Sequence, residues 1–262
     1  MQPHLVFGLR NGSLLHVADV ERGLACECSC PACQEPLVAK KGPKTQHHFA
    51  HASGSECAVA LETALHIAAK SIFEEHKHIT LPPVALVLKG GRRDIPIADM
   101  KRYAIDRVAL EQRMGNIVPD VVATVGGKPL IVEIRVTHAV DDSKLERIKA
   151  LGVSAIEVDL SAAPRSFERE ALTTFLVDGI ANKRWLFNAV VERKRAELFA
   201  TGTRKQTLHR GLALHVDDCP IPARVWKGKA YANVIDDCLC CEHAIDVGDN
   251  MDSILCDGHR GK

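Results

Sequence analysis

The chain has 262 residues, 46% of them hydrophobic and 26% charged, with a formal net charge of +1 at pH 7. This is the balance of a soluble globular protein with one sizeable core and one or two small modules. No apolar run reaches the length of a signal peptide or a membrane span, so a cytoplasmic location without a membrane partner is expected. Ten cysteines in such a chain argue against a disulfide framework and for metal binding. The near-zero net charge neither demands nor excludes a nucleic-acid partner.

In chain order, LVFGLR and LLHVADV around Asn11-Gly12 predict a hairpin over residues 5–20. A Cys-rich segment runs from Cys26 to Cys57. Residues 59–76 read as a helix, because Leu61, Leu65, Ala68 and Ile72 recur at helical spacing. Strands follow around 84–88, 104–111, 117–125 and 129–137. A helix over 142–151 is opened by Asp141 or Asp142, closed by Gly152, and carries Leu145, Ile148 and Leu151. VSAIEVDL at 153–160 is a further strand, joined to the previous one by a crossover helix and therefore parallel to it. Two helices are expected over 166–200, with a loop-rich, Cys-rich remainder. The layout is α/β, divided at the sequence level into 1–57, 58–180, 181–212 and 213–262.

Two cysteine clusters share one spacing. Cys30-x2-Cys33-x14-His48-x2-His51 is matched by Cys238-x2-Cys241-x14-Cys256-x2-His259. Two close pairs brought face to face supply the four N or S ligands of tetrahedral Zn²⁺, so two closed, structural zinc sites are expected. Cys26, Cys28, His47 and Cys57 are substitutes at the first, and Cys219, Cys240 and His243 at the second. An alternative gives His47, His48 and His51 to a ββα-metal nuclease site, which needs an open metal position.

The stretch 117–138, IVPDVVATVGGKPLIVEIRVTH, carries the other candidate chemistry. A turn at Gly126-Gly127 sets Asp120 opposite Glu133, with Cβ atoms about 4.5–5.5 Å apart. One face of this hairpin, from Ile117, Pro119, Val121, Ala123 and Val125 to Leu130, Val132, Ile134 and Val136, is wholly apolar. The other mixes Val118, Val122 and Ile131 with Asp120, Glu133 and Arg135. Opposed carboxylates repel unless a cation lies between them, and Mg²⁺ or Mn²⁺ takes such oxygen ligands. A structural ion cluster, with Arg135 neutralising both acids, fits the same pattern. Glu62, His66 and Lys70 lie along one side of the 59–76 helix. Glu62 is the candidate third acid, while His66 and Lys70 read as a surface row. Lys144 and His138 are positioned to supply a cation or a base near Arg135. From Lys183 to Arg210, eight cations stand against two acids, a local charge of +6 suited either to phosphates or to a solvated helix face.

CPACQEPLVAKKGPKTQHHFAH, ETALHIAAK and PDVV…VEIRVTHAVDDSKL together resemble the competence-protein CoiA-like family over roughly residues 25–160. The resemblance implies a zinc-finger-like N-terminus joined to a PD-(D/E)xK-type nuclease fold, a mixed sheet flanked by helices. It also implies an acid on the first helix (Glu62), an Asp on the second core strand (Asp120) and a Glu on the third (Glu133). Arg135 departs from the family pattern, which has Lys or Gln there. Arginine stays protonated, so it can offset phosphate charge but not act as a base. The expected function is a Mg²⁺- or Mn²⁺-dependent nuclease acting on DNA in recombination, DNA uptake or defence. The alternative is a zinc-containing DNA-binding protein whose nuclease centre has decayed. Strandedness of the DNA, a homo-oligomer and a recombination partner protein stay open at this level.

Overall fold

Asn11 and Gly12 adopt φ of 51° and 77°, as a two-residue hairpin turn requires. They join strands β1 (Phe7–Arg10) and β2 (Ser13–His16). A second hairpin pairs β3 (Leu37–Lys40) with β4 (His48–His51). The structure, a computed structural model, describes residues 4–90, 94–110, 112–136, 138–163, 167–221 and 224–258. The chain groups into two compact units, Met1–Pro82 with Met100–Asn188, and Pro83–Asp99 with Ala189–Lys262. The four-part division along the sequence is therefore not the grouping in space.

In the first unit, helix α1 (Ala60–His76) buries Ala60, Leu61, Ala64, Leu65, Ala68, Ala69, Ile72 and Phe73. These positions form the apolar stripe expected of a helix lying on a core. Lys77, in the left-handed conformation at φ 48°, ends the helix. Strand β5 (His78–Leu81) follows; β6 (Val84–Leu86) and β7 (Ile95–Ala98) pair with each other in the second unit. The chain returns with β8 (Lys101–Ala104), antiparallel to β5.

Three antiparallel strands then form a meander: β9 (Arg107–Leu110), β10 (Val121–Val125) and β11 (Lys128–Arg135). Helix α2 (Asp142–Leu151) crosses over to β12 (Ala155–Asp159), which is parallel to β11 as the sequence predicts. The Asp141 carboxylate accepts the Lys144 backbone N–H at 2.8 Å to cap α2, and Gly152 closes the helix at φ 65°. Strand β13 (Lys183–Phe187) is antiparallel to β12. The sheet order is β13-β12-β11-β10-β9.

This sheet is buried on both faces. Val121, Ala123, Leu130, Val132 and Ile134 join the α1 residues in the main core. On the opposite face Ile131 and Ala155 pack with Ile148 of α2. Ile117, expected on the first face, packs with this second group. The reason is that the ladder begins only at Val121; Ile117 pairs with Met114 in a local bridge instead, so strand alternation does not extend to it.

The expectation of two helices over 166–200 is corrected. A short helix α3 (Arg169–Thr173) runs into a wider turn at Thr174–Asp178, then comes β13, then helix α4 (Ala189–Thr201). Edge pairing on β12 takes Lys183–Phe187 out of the helical pattern. The basic run consequently spans both units.

In the second unit, Val191 and Leu198 of α4 pack with Leu86, Leu88, Ile245 and Leu255. Beyond α4 the expected loop-rich remainder holds seven short strands. They are β14 (Thr203–Gln206), β15 (Leu208–Arg210), β16 (Ala213–Asp217), β17 (Arg224–Trp226), β18 (Lys229–Asn233), β19 (Ala244–Val247) and β20 (Ser253–Cys256). They form sheets ordered β15-β16-β18-β17 and β14-β20-β19. Among the described residues, no helix is long and apolar enough to cross a membrane.

Candidate metal centres

The turn after Cys30 and the end of β4 bring four ligand atoms together. Cys30, Cys33, His51 and Cys57 lie within 4.8 Å of one another, a group able to hold zinc. The Cys33 sulfur is 3.3 Å from His51 Nε2. Burial pushes the Cys30 thiol up to about 11, opposed by hydrogen bonds from the backbone N–H groups of Cys33 and Ala32. The N–H of Glu35 lowers the exposed Cys33 thiol. Such N–H donors favour the thiolate, which is the ligand form. Ser53 and Ser55 donate to Glu35 Oε2 at 3.1 and 2.6 Å, tying the segment before Cys57 to the Cys33 turn.

One member of the spacing-based set changes. His48 is replaced by Cys57, because His48 and His51 sit on one strand. Residues three apart on a strand point to opposite faces. His48 instead stacks on His4, with centroids 4.5 Å apart, and its Nδ1 pairs with the Gln46 carbonyl at 2.9 Å. Cys26 and Cys28 are buried and their thiols donate to the carbonyls of Leu37 and Cys26. The four-ligand group leaves neither His47 nor His48 a place and no open position, which removes the ββα-metal reading.

The second constellation lies at the end of the β10–β11 hairpin, on the face covered by α2. Gly126 and Gly127, at φ 55° and 73°, hold Val121 opposite Val132, and Asp120 and Glu133 are the next residues outward. The Asp120 carboxylate accepts the Ile134 backbone N–H at 2.7 Å, so a side-chain oxygen takes over from the ladder where the strands end. Glu133 is only 2% exposed. Burial, with the charge of Asp120 added, pushes its carboxyl up to about 7, against the lowering effect of Lys144. The Lys144 ammonium reaches Glu133 Oε2 at 2.6 Å from the first turn of α2. Glu133 Oε1 is buried with no hydrogen-bond partner. A buried carboxylate oxygen without a donor is costly, and it is the kind of atom a hard divalent cation would satisfy. The donor set therefore fits Mg²⁺ or Mn²⁺.

The α1 side chain beside Asp120 is His66, with Nε2 at 3.6 Å from Asp120 Oδ2 and otherwise without a hydrogen bond. The surface reading of His66 is thus corrected: being nearer the middle of α1, it lies level with the strand end. Glu62, one turn earlier, is half-buried. Arg135 pairs with Asp159, its parallel neighbour on β12, at 3.0 Å. Glu157, beside Glu133 in the same register, is 2% exposed. It accepts the Val140 N–H at 2.9 Å and the Arg184 guanidinium at 3.0 Å. The alternation E-x-D in AIEVD was the signal for Glu157 and Asp159. His138 is exposed.

The basic run is mostly paired within the protein. Arg184, Lys194, Arg195, Arg204 and Arg210 each meet an acid. Lys183 is buried and donates to the carbonyls of Thr80 and Val177. In the second unit Cys219, Cys238, Cys241 and Cys256 line one cavity. His259, the fourth ligand by spacing, lies outside the described residues. Cys240 is exposed, and His243 pairs with Asp257 at 3.0 Å.

These features define a mixed α/β protein with a Cys₃His group of zinc-binding type and a second, carboxylate-rich face. Residues 21–60, which hold all four members of that group, match the family model of the competence protein CoiA N-terminal domain. No curated protein and no solved structure matches the chain.

Proposed function

We propose that the first unit is a Mg²⁺- or Mn²⁺-dependent nuclease of the PD-(D/E)xK type acting on DNA. One observation carries this: Glu133 lies beside Asp120 on a buried face, with one oxygen on the Lys144 ammonium and the other unpartnered. The order of helix, three-stranded meander, crossover helix and parallel strand agrees with that fold type. The CoiA-type match of residues 21–60 supports a place in the same family.

Asp120 and Glu133 would hold the metal. When bound, it supplies a water of lowered pKa and offsets charge at the scissile phosphodiester. Lys144, freed from Glu133, offers its ammonium to the phosphate from the first turn of α2, taking the part Arg135 cannot play as a base. Arg135 contributes fixed positive charge, oriented by Asp159. His66 orients Asp120 from α1. The Cys₃His module would grip the DNA backbone, which positions a substrate without reading its sequence.

A second reading, a DNA-binding protein with a decayed centre, is favoured by the engagement of Arg135 with Asp159. The deciding experiment incubates labelled single-stranded, duplex and branched DNA with Mg²⁺ or Mn²⁺, using wild type and Glu133→Ala. Metal-dependent cutting lost in the variant is expected. Equal DNA binding by both proteins without any cutting would give the second reading the lead.

A further inference from the structure

We infer that Cys219, Cys238, Cys241 and Cys256 form a second zinc site, a Cys₄ centre that ties together the two sheets of the second unit. The four thiols come from three separate segments. Cys219 lies in the loop after β16, Cys238 and Cys241 bracket a one-turn helix, and Cys256 ends β20. All four line one cavity of about 80 Å³. None forms a disulfide.

A second observation points to the ligand. The His243 N–H is directed at the Cys241 sulfur, 3.5 Å away, and the Gly258 N–H at the Cys256 sulfur, 3.3 Å away. In each case the donor is two residues beyond the cysteine. The Cys₃His group has the same arrangement, with Ala32 serving Cys30 and Glu35 serving Cys33. An N–H aimed at sulfur stabilises a thiolate, the form that binds metal. The thiols also raise one another: Cys238 is pushed up to about 12 by burial and by the charges of Cys219, Cys241 and Cys256. A divalent cation would reverse that mutual repulsion.

The alternatives for the fourth ligand within the described residues are weaker. Cys240 is exposed and absent from the cavity lining. His243 is held by Asp257. The set is also looser than the first; among the described residues the mutual 4.8 Å spacing belongs to Cys30, Cys33, His51 and Cys57. Zinc–sulfur bonds of about 2.3 Å would draw the four sulfurs inward and shrink the cavity. The apolar group beside it is small, consisting of Val216, Ala232, Val234, Cys238 and Ile254. Small cores of this kind commonly depend on a metal or a cross-link. Cys219 follows a strand of one sheet and Cys256 belongs to a strand of the other, so the metal joins them. With four protein ligands the site is closed and structural.

The test measures zinc in the purified full-length chain and maps the alkylation rate of each cysteine before and after chelation. Two zinc ions per chain are expected. Cys219 should be protected until chelation, whereas Cys240 should react at both stages. Cys219→Ser should lose one zinc, and Cys240→Ser should keep both. The proposal is overturned if wild type binds a single zinc through the first cluster. It is equally overturned if Cys219 alkylates as fast as Cys240 in the zinc-loaded protein. The alkylation map uses unaltered protein, so it decides the matter even if Cys219→Ser does not fold.

Discussion

The cysteine group of the first unit and its carboxylate face are built by opposite routes. Cys30, Cys33, His51 and Cys57 fall within 28 residues of sequence, and local turns bring them together with backbone N–H groups already aimed at sulfur. Asp120 and Glu133 meet only because a glycine turn fixes a strand register. Their surroundings then come from α1, α2 and β12. The first group satisfies itself with one soft ion and is finished. The second keeps a buried oxygen unpaired and a cation on the other, an arrangement that costs stability and leaves chemistry to be done. A structural site minimises unmet demand, whereas a reactive site retains some.

Removing the metal from the first group should have the largest effect on folding. Structural zinc in small modules is worth about 10–16 kcal/mol of apparent binding energy at neutral pH. Cys57→Ser should lose that zinc and unfold the segment around β3 and β4, while His48→Ala keeps it. Zinc analysis with circular dichroism separates the two, and zinc loss in His48→Ala instead would restore the spacing-based set.

On the carboxylate face, Glu133→Gln should lower any metal-dependent cleavage by on the order of 10²–10³-fold, as loss of a key electrostatic group does. Folding should be retained or improved, because a buried acid is neutralised. Comparison of cleavage rate with Tm checks this, and parallel losses in both would mark Glu133 as structural.

Lys144→Met removes the partner of a buried acid, and on the order of 1–3 kcal/mol of stability should go with it. Lys144→Arg should restore most of that. Denaturant unfolding of the three proteins measures the difference.

A pH effect of similar or smaller size follows from Glu133 in chelated protein. Its folded carboxyl titrates near 7, above its ordinary 4.5, so between those values the folded state holds a proton that the unfolded chain has released. Stability should therefore fall as pH rises through that window, by on the order of 1–3 kcal/mol. Glu133→Gln should flatten the slope. Asp141→Ala should have the smallest effect, about 1 kcal/mol from the lost helix cap, with no change at either metal centre.

The parts of this architecture visible in the sequence are those governed by short-range rules. Asn11-Gly12, Gly126-Gly127, the α1 stripe and the Asp141–Gly152 limits of α2 are each dictated by a few neighbouring residues. The parallel pairing of β11 with β12 followed from handedness alone. His48 was misassigned because a His-x2-His spacing suits a turn, and the segment is a strand. His66, Glu157 and Asp159 depend on which element packs where, information absent from local pattern. The strands of the second unit, three to five residues each, are too short for alternation to be read. The cations from Lys183 to Arg210 look like a phosphate-binding run until their acidic partners, many from distant segments, are seen.

The path of the chain has a consequence for biosynthesis. Val84, Leu86, Leu88, Ile95 and Ile97 are made before the central sheet, yet their apolar partners Val191, Leu198, Ile245 and Leu255 emerge last. As the chain leaves the ribosome, this hairpin must wait through roughly a hundred residues of synthesis, at about 5–20 residues per second, before its core exists. A nascent chain stalled near residue 188 would hold a complete first unit and an uncovered apolar loop, the form most exposed to chaperones and proteases.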